Sequence, residues 1–245
     1  MKHYKAIVFD FDMTLADSAK IIGDLLNETA SHFGYEKKSY DFILPCIGNT
    51  HEIMLSHVTG EKDPEKLMEM RDYYRRIIQD EMPRRTTFFP DVKKCLSLIH
   101  GKGIKIGLLS QKPGNLLVAS LVKYQLNNFF SSIKGGNDVP CPKPDPSGLL
   151  AIIDEFKLSV EDVLYIGDSL VDEMTAQNAG VDFAAMLLGG TTREQFNADF
   201  ATAFFCDFGD LISSIDNLES IPANKNDLIM KTSERAGSGN FKADK

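Results

Sequence analysis

The feature that most constrains the fold is the alternation of short apolar runs with amphipathic helical patterns after Pro83. Such an alternation is typical of parallel strands joined by right-handed helical crossovers. A similar run near the N-terminus fits the same sheet. The predicted strands cover residues 6–9, 104–109, 163–166, 183–188 and 203–206. The chain is therefore predicted to be α/β, with a Rossmann-like parallel sheet core and helices on both faces.

Residues 18–82 interrupt this alternation, because their apolar residues fall at helical spacing and form no convincing strand. Gly34 and Gly60 fit helix ends, and Asp63-Pro64 fits a helix start. We interpret this block as an α-helical domain inserted after the first strand. The predicted domains are residues 1–16 and 86–220 for the core and 17–85 for the insert. Residues 221–245 are polar and are predicted to form a flexible tail.

Composition excludes some classes of partner. The net charge of −8 over 245 residues disfavours nucleic acid and anionic membranes. No apolar stretch approaches the ~20 residues of a membrane span. The four cysteines form no Cys-x-x-Cys pair, and the N-terminus lacks the apolar core of a secretion signal. We expect a cytoplasmic protein, monomeric or homodimeric, with no nucleic-acid or membrane partner.

Polar residues follow several of the predicted strands, at the sheet edge where parallel α/β folds bind ligands. They are Asp10 and Asp12 after the first strand, Ser110 after the second, Asp168 and Asp172 after the third, and Lys143 in the preceding "CPKPDP" loop. Each one alone has an ordinary reading as a helix cap, a turn former or a solvated lysine. Helix caps explain one acid per helix, but not two acids at one strand end and two more at another.

Crowded carboxylates repel one another and raise one another's pKa values, unless a hard cation lies between them. All-oxygen ligation with few protein groups suits Mg²⁺. A lysine and a hydroxyl beside such a set indicate a bound phosphate. One carboxylate can act as a nucleophile, and a second can transfer protons.

These motifs, in this order, resemble those of the haloacid dehalogenase superfamily, in its phosphatase branch. The resemblance of "DFDMT" implies that Asp10 is the nucleophile, Asp12 the general acid/base and Thr14 the residue that steadies Asp12. Ser110 in "LLSQK" would hydrogen-bond the transferring phosphoryl group, and Lys143 in "PKPDP" would orient the nucleophile. "GDSLVD" would supply Asp168 as a Mg²⁺ ligand supported by Asp172. The implied metal set is Asp10, Asp12 through its backbone carbonyl, Asp168 and Asp172.

The inserted helices match the helical cap of that family, with hinges expected near residues 15–17 and 85–89. Overall the chain is most similar to phosphoglycolate phosphatase-like members, which hydrolyse small phosphorylated metabolites through an aspartyl-phosphate. Five arginines are candidates for meeting a second anionic group of the substrate: Arg71, Arg75, Arg76, Arg84 and Arg85. Arg84 and Arg85, near a hinge, are preferred.

One departure concerns Met13, which occupies a position that is most often glycine in the family. We expect Met13 to leave the chemistry intact and to pack towards the cap.

Other functions stay open. One is a β-phosphoglucomutase-like sugar phosphomutase. Many such mutases have glutamate where "GDSLVD" has Gly167, directly before Asp168, and this difference argues against a mutase. A pyrophosphatase, a nucleotidase and a catalytically quiet binding module are the others.

Overall fold

The computed structural model describes residues 4–215, so the tail predicted for residues 221–245 lies outside the described residues. The strands are β1 (Ala6–Phe9), β2 (Ala16–Asp17), β3 (Thr87–Phe88), β4 (Lys105–Leu109), β5 (Ser132–Lys134), β6 (Val163–Gly167), β7 (Asp182–Met186) and β8 (Ala201–Phe205). Six of them form one parallel sheet in the order β5-β4-β1-β6-β7-β8. The predicted α/β fold is confirmed.

The helices are α1 (Ala19–His32), α2 (Tyr40–Ile43), α3 (His51–Thr59), α4 (Pro64–Arg85), α5 (Val92–Gly101), α6 (Gly114–Lys123), α7 (Ser147–Phe156), α8 (Leu170–Ala179) and α9 (Phe208–Ile215). Helices α5–α9 cover the two faces of the six-stranded sheet. Alternate residues of β1 point to opposite faces. Ile7 and Phe9 lie in the core shared with α5, α6 and α9, whereas Ala6 and Val8 lie in the core shared with α7 and α8.

Several elements differ from the sequence prediction, which contained none of the short elements β2, β3 and α2. The strand β5 was not predicted, since three residues with a single apolar side chain, Ile133, give no strand pattern. Helix α4 was expected to end near Pro83, but it continues to Arg85. A proline in the last turn removes only one backbone donor, so the helix passes through it.

Helices α1–α4 form a helical unit (residues 19–85) between β2 and β3. Its apolar residues pack into a cluster separate from the two cores of the sheet. Strands β2 and β3 pair antiparallel at the two connections to the core, where the hinges were expected. Helix α4 packs on α6, and Asn115 Nδ2 lies 2.9 Å from Gln79 Oε1. The helical unit therefore lies directly against the core.

Met13 joins the two parts of the protein. Its side chain is 5% exposed and belongs to the cluster of the helical unit. Its φ is 60°, in the left-handed region that favours glycine. The chain thus accepts backbone strain at the position where the sequence has methionine in place of glycine, and gains apolar packing there.

Among residues 4–215, no helix combines the length and the apolar character that crossing a membrane requires.

Candidate active site

Asp10 lies at the end of β1, where its backbone N–H donates to the carbonyl of Ile166 in the neighbouring strand. Its carboxylate accepts from Lys143, with Nζ 2.7 Å from Oδ1. The same ammonium lies 2.6 Å from Asp172 Oδ1. All three side chains are at most 4% exposed. Lys143 of "PKPDP" therefore links Asp10 of "DFDMT" to Asp172 of "GDSLVD", and all three side chains are buried.

The electrostatics of this cluster reflect burial. Burial raises the pKa of Asp10 to about 7, with added repulsion from Asp172 and Asp12, and Lys143 only partly offsets this. Burial likewise raises the pKa of Asp168 well above its usual range. Burial opposes the charge of Lys143, but Asp10 and Asp172 outweigh it and raise the lysine's pKa. The cluster thus carries more negative charge than its single lysine balances.

Carboxylate oxygens of Asp10, Asp168 and Asp172 lie within 4.8 Å of one another, and all three residues are buried. Buried carboxylates that repel one another are stabilised by a hard divalent cation, and an all-oxygen donor set suits Mg²⁺. These residues therefore fit the magnesium ion that the sequence implied. The side chain of Asp12 is not part of this group.

Asp172 also holds its neighbours in place. Its Oδ1 accepts from Tyr165 at 2.8 Å as well as from Lys143, and its Oδ2 accepts from Ser169 Oγ at 2.5 Å. Ser169 and Asp172 together cap the N-terminus of α8. Tyr165 was not singled out from the sequence, because a tyrosine within a strand is typical of an ordinary core residue.

Asp12 is held by two residues that sequence reasoning missed. Lys112 Nζ and Ser18 Oγ each lie 2.6 Å from Asp12 Oδ1. The Lys112 ammonium also lies 4.7 Å from the centre of the Phe11 ring. The available signal for Lys112 was its position two residues after Ser110. Ser18 directly precedes α1, but its hydroxyl makes no capping bond to that helix.

The position of Thr14 differs from the sequence expectation. Its hydroxyl donates to Asp168 Oδ1 at 3.1 Å, rather than to Asp12. Thr14 therefore orients Asp168 of "GDSLVD", across the edge of the sheet.

Ser110 follows β4 and is 3% exposed. Its backbone N–H donates to Lys134 of β5, and its hydroxyl accepts from the backbone N–H of Lys112 at 3.2 Å. Ser110, Asp10 and Asp12 together line a cavity between the sheet edge and the helical unit. The cavity has a volume of about 460 Å³ including its mouth, and its other lining residues are Ile22, Gly48, Asn49, His51, Met54, Tyr74, Ile78, Met82, Gln111 and Lys112.

The two preferred arginines do not line this cavity. Arg85 pairs with Asp24 at 2.6 Å, and Arg84 pairs with Glu81 at 3.3 Å, both at the surface of the helical unit. Charge and position near a hinge suggested a substrate contact, but nearby carboxylates take both side chains.

A parallel sheet with two aspartates after its first strand, a buried lysine bridge and a cluster of three buried carboxylates is an arrangement suited to phosphoryl transfer. The sequence profile of the haloacid dehalogenase-like hydrolase family matches residues 7–186. The chain belongs to this family.

Three relatives illustrate the likeness. A phosphoglycolate phosphatase of Yersinia pestis is 27% identical over 218 residues, which are 87% of this chain and 94% of that protein. One of Vibrio cholerae is 31% identical over 188 residues, 74% of this chain and 83% of that protein. The crystal structure of a haloacid dehalogenase-like hydrolase of Bacteroides fragilis has 38% identity and a TM-score of 0.81, covering 85% of this chain and 99% of that one. The likeness identifies a phosphoglycolate phosphatase-like hydrolase.

Proposed function

We propose that this protein is a Mg²⁺-dependent phosphatase that hydrolyses a small phosphate monoester through an aspartyl-phosphate intermediate. The observation that carries the proposal is the joint exposure of Asp10 and Asp12 to one cavity, with Lys143 fixed on the Asp10 carboxylate. A nucleophile and a separate proton carrier in one enclosed site are what this chemistry requires.

In the first step, a carboxylate oxygen of Asp10 attacks the phosphorus of the ester. A bond forms between that oxygen and phosphorus, and the ester bond from phosphorus to the leaving oxygen breaks. Lys143, whose Nζ lies 2.7 Å from Asp10 Oδ1, holds the carboxylate in one orientation. Ser110 lines the same cavity and its hydroxyl can donate to a phosphoryl oxygen.

Asp12 transfers the proton in both steps. In its protonated form it gives its proton to the departing alkoxide, and the carboxylate left behind then takes a proton from the water that attacks the aspartyl-phosphate, which restores the acid. The attack breaks the bond between phosphorus and the Asp10 oxygen and releases inorganic phosphate. Lys112 and Ser18 both donate hydrogen bonds to Asp12 Oδ1, so Oδ2 is the oxygen available for proton transfer.

Asp10, Asp168 and Asp172, with the backbone carbonyl of Asp12, would hold the Mg²⁺ ion. When bound, the ion neutralises the negative charge of the carboxylates and of the phosphoryl group. The hydrogen bond from Thr14 to Asp168 positions one of these carboxylates.

The helical unit would act as the cap, and the pair β2–β3 would be its hinge. Its residues Asn49, His51 and Tyr74 form part of the cavity wall, so they would exclude water while the phosphoryl group is transferred. The domain boundaries at residues 16–17 and 85–86 are part of this proposal.

A sugar phosphomutase is the second candidate, and Gly167 argues against it. A Cβ atom added at Gly167 would lie 2.4 Å from Asp172 Cβ, so a larger residue there would displace Asp172. The glutamate that many mutases have before the aspartate of this motif therefore does not fit the present arrangement.

The test is phosphate release from a panel of esters with Mg²⁺ or with EDTA, for the wild type and for Asp10→Asn. The panel includes phosphoglycolate, because the relatives from Yersinia and Vibrio are phosphoglycolate phosphatases. Release that needs both Mg²⁺ and Asp10 supports the proposal. Interconversion of hexose phosphates without phosphate release would favour the mutase instead.

A further inference from the structure

The wall that the helical unit gives to the cavity contains no cation. Its polar members are Asn49, His51 and Tyr74, and the remaining side chains are Ile22, Met54, Ile78 and Met82. The catalytic residues all lie on the opposite side, which the core provides. The leaving group of the ester must therefore meet a wall that is apolar except for three neutral polar side chains.

Tyr74 is the strongest indication of a ligand. Its side chain is 2% exposed and lines the cavity, yet its hydroxyl hydrogen-bonds to no residue in the described range 4–215. The Tyr74 ring contacts the His51 ring edge to face, with 5.1 Å between the ring centroids. In the described range, the buried side-chain oxygens without a partner are Thr86 Oγ1 and Ser147 Oγ, so the Tyr74 hydroxyl is not sealed off from the cavity. It can therefore donate to, or accept from, a group that binds there.

Asn49 and His51 extend this neutral polar surface. The Asn49 amide group donates to the carbonyl of Cys46 at 3.0 Å, which leaves its own carbonyl oxygen available as an acceptor. Burial, together with the charge of Arg75, lowers the pKa of His51 to about 4. His51 is therefore a neutral imidazole near pH 7, with one donor and one acceptor nitrogen.

Two cations near the cavity, Arg71 and Lys112, pair with carboxylates. Arg71 pairs with Glu52 and Asp72 at 3.0 and 2.9 Å. Arg75 is exposed and does not line the cavity. Lys112 is the one cation among the residues that line it, and it already pairs with Asp12. A second anionic group on the substrate would therefore be desolvated without a cation of its own, which is unfavourable.

We infer that the preferred substrate is the phosphate ester of a short, uncharged alcohol with further hydroxyl groups, bound through Tyr74, His51 and Asn49. This inference rests on the proposed phosphatase function. Hydroxyl groups both donate and accept, as these three side chains require. About 460 Å³ of space lies in the cavity and its open mouth together, and the phosphoryl group takes part of it, so the alcohol must be short. A short polyol or a small sugar fits this space.

Three esters of similar size test the inference: glycerol phosphate, propyl phosphate and phosphoglycolate. For the wild type with Mg²⁺, we expect kcat/KM for glycerol phosphate to exceed that for each of the other two by about tenfold or more. In Tyr74→Phe, the ratio of kcat/KM for glycerol phosphate to that for propyl phosphate should fall about tenfold. In the matched control Tyr73→Phe, whose ring stacks on His32 and does not line the cavity, both the glycerol-to-propyl ratio and the glycerol-to-phosphoglycolate ratio should stay as in the wild type.

A wild type that prefers phosphoglycolate overturns the inference, and so does a Tyr74→Phe variant whose glycerol-to-propyl ratio equals that of the wild type. In both cases Asp10-dependent hydrolysis would still stand, so the two failures are distinguishable. If no ester releases phosphate, the proposed function fails and this inference fails with it. The ranking of esters by the wild type needs no variant, so it decides the question even if Tyr74→Phe does not fold.

Discussion

Lys112 and Asp12 form an almost fully buried ion pair, with Nζ 2.6 Å from Oδ1 and the side chains 6% and 12% exposed. The pair joins the segment after β4 to the segment after β1. Because Ser18 donates to the same oxygen, Asp12 has one oxygen fixed and one free. The pair therefore sets which face of the proposed acid/base meets the leaving group.

Lys112→Met should lower kcat/KM for every ester by about 10–100-fold, since removing one partner leaves a buried charge uncompensated. Steady-state kinetics with two esters that differ only in the alcohol will measure this. Lys93→Met, at an exposed position of α5, is the matched control and should behave as the wild type. A Lys112→Met variant with normal kinetics would show that Asp12 does not need this partner.

Thr14→Val should raise the Mg²⁺ concentration for half-maximal activity by about tenfold, because the hydrogen bond to the Asp168 carboxylate is lost. Thr14→Ser keeps the hydroxyl and should stay near the wild type. The readout is a Mg²⁺ titration of activity at saturating substrate. An unchanged Mg²⁺ requirement with a lowered kcat would instead point to Asp12, as the sequence suggested.

The metal-free protein should lose stability through Asp10 as the pH rises. The pKa of Asp10 is about 7 in the folded state against an ordinary 3.8, so between these values the folded protein holds more protons than the unfolded one. Raising the pH through that range lowers the free energy of unfolding. His51 acts in the opposite direction between about 4 and 6.5, because its folded pKa is depressed.

Asp10→Asn isolates the contribution of Asp10. Urea unfolding in EDTA at about pH 5 and about pH 8 should show the wild type losing stability relative to this variant as the pH rises. Mg²⁺ should restore more stability to the wild type than to the variant at the higher pH. A difference between the two proteins that does not vary with pH would contradict the predicted shift.

Met13→Ala should destabilise the protein more than Met13→Gly, by about 1 kcal/mol. Both variants lose the buried side chain, but only glycine removes the strain of a φ of 60°. Chemical unfolding of the two variants side by side will measure the difference. Equal stabilities would show that this backbone conformation carries no strain.

Gly189→Ala should weaken activity strongly through the metal site. A Cβ atom at position 189 would lie 2.0 Å from Asp168 Oδ2, so the loop after β7 or the carboxylate must move. Gly101→Ala is the control, because a Cβ atom there meets nothing within 4 Å. A Gly189→Ala enzyme with an unaltered Mg²⁺ titration would show that the loop yields without disturbing Asp168.

The sequence predicted the α/β fold and brought the right strand ends to one edge, because parallel strands place their carboxyl ends together. The sequence could not predict which side chains hydrogen-bond to one another across that edge. Thr14 and Asp168 are far apart in the chain, and the resemblance implied only Asp12 as the residue that Thr14 steadies. The structure does not place Arg84 or Arg85 at the cavity, and only coordinates reveal that Glu81 and Asp24 pair with them.

The roles of the buried tyrosines were likewise hidden. Tyr165 and Tyr74 occupy regular apolar positions of a strand and a helix, so their patterns predict core packing. Only the structure shows that Tyr165 donates to Asp172 and that the hydroxyl of Tyr74 has no described partner beside the cavity. The periodicity of apolar residues predicts which face of a helix or strand is buried, but it does not predict the hydrogen-bond partner of a side chain on that face.

The central claim is that Asp10 becomes phosphorylated during turnover. The most direct measurement is rapid acid quenching of the protein with a hydrolysed ester and Mg²⁺, followed by mass spectrometry of the peptide that contains Asp10. We predict one added phosphoryl group on Asp10 in the wild type and none in Asp10→Asn, which should also be inactive. Continued hydrolysis by Asp10→Asn, with no phosphorylated peptide in the wild type, would contradict the account.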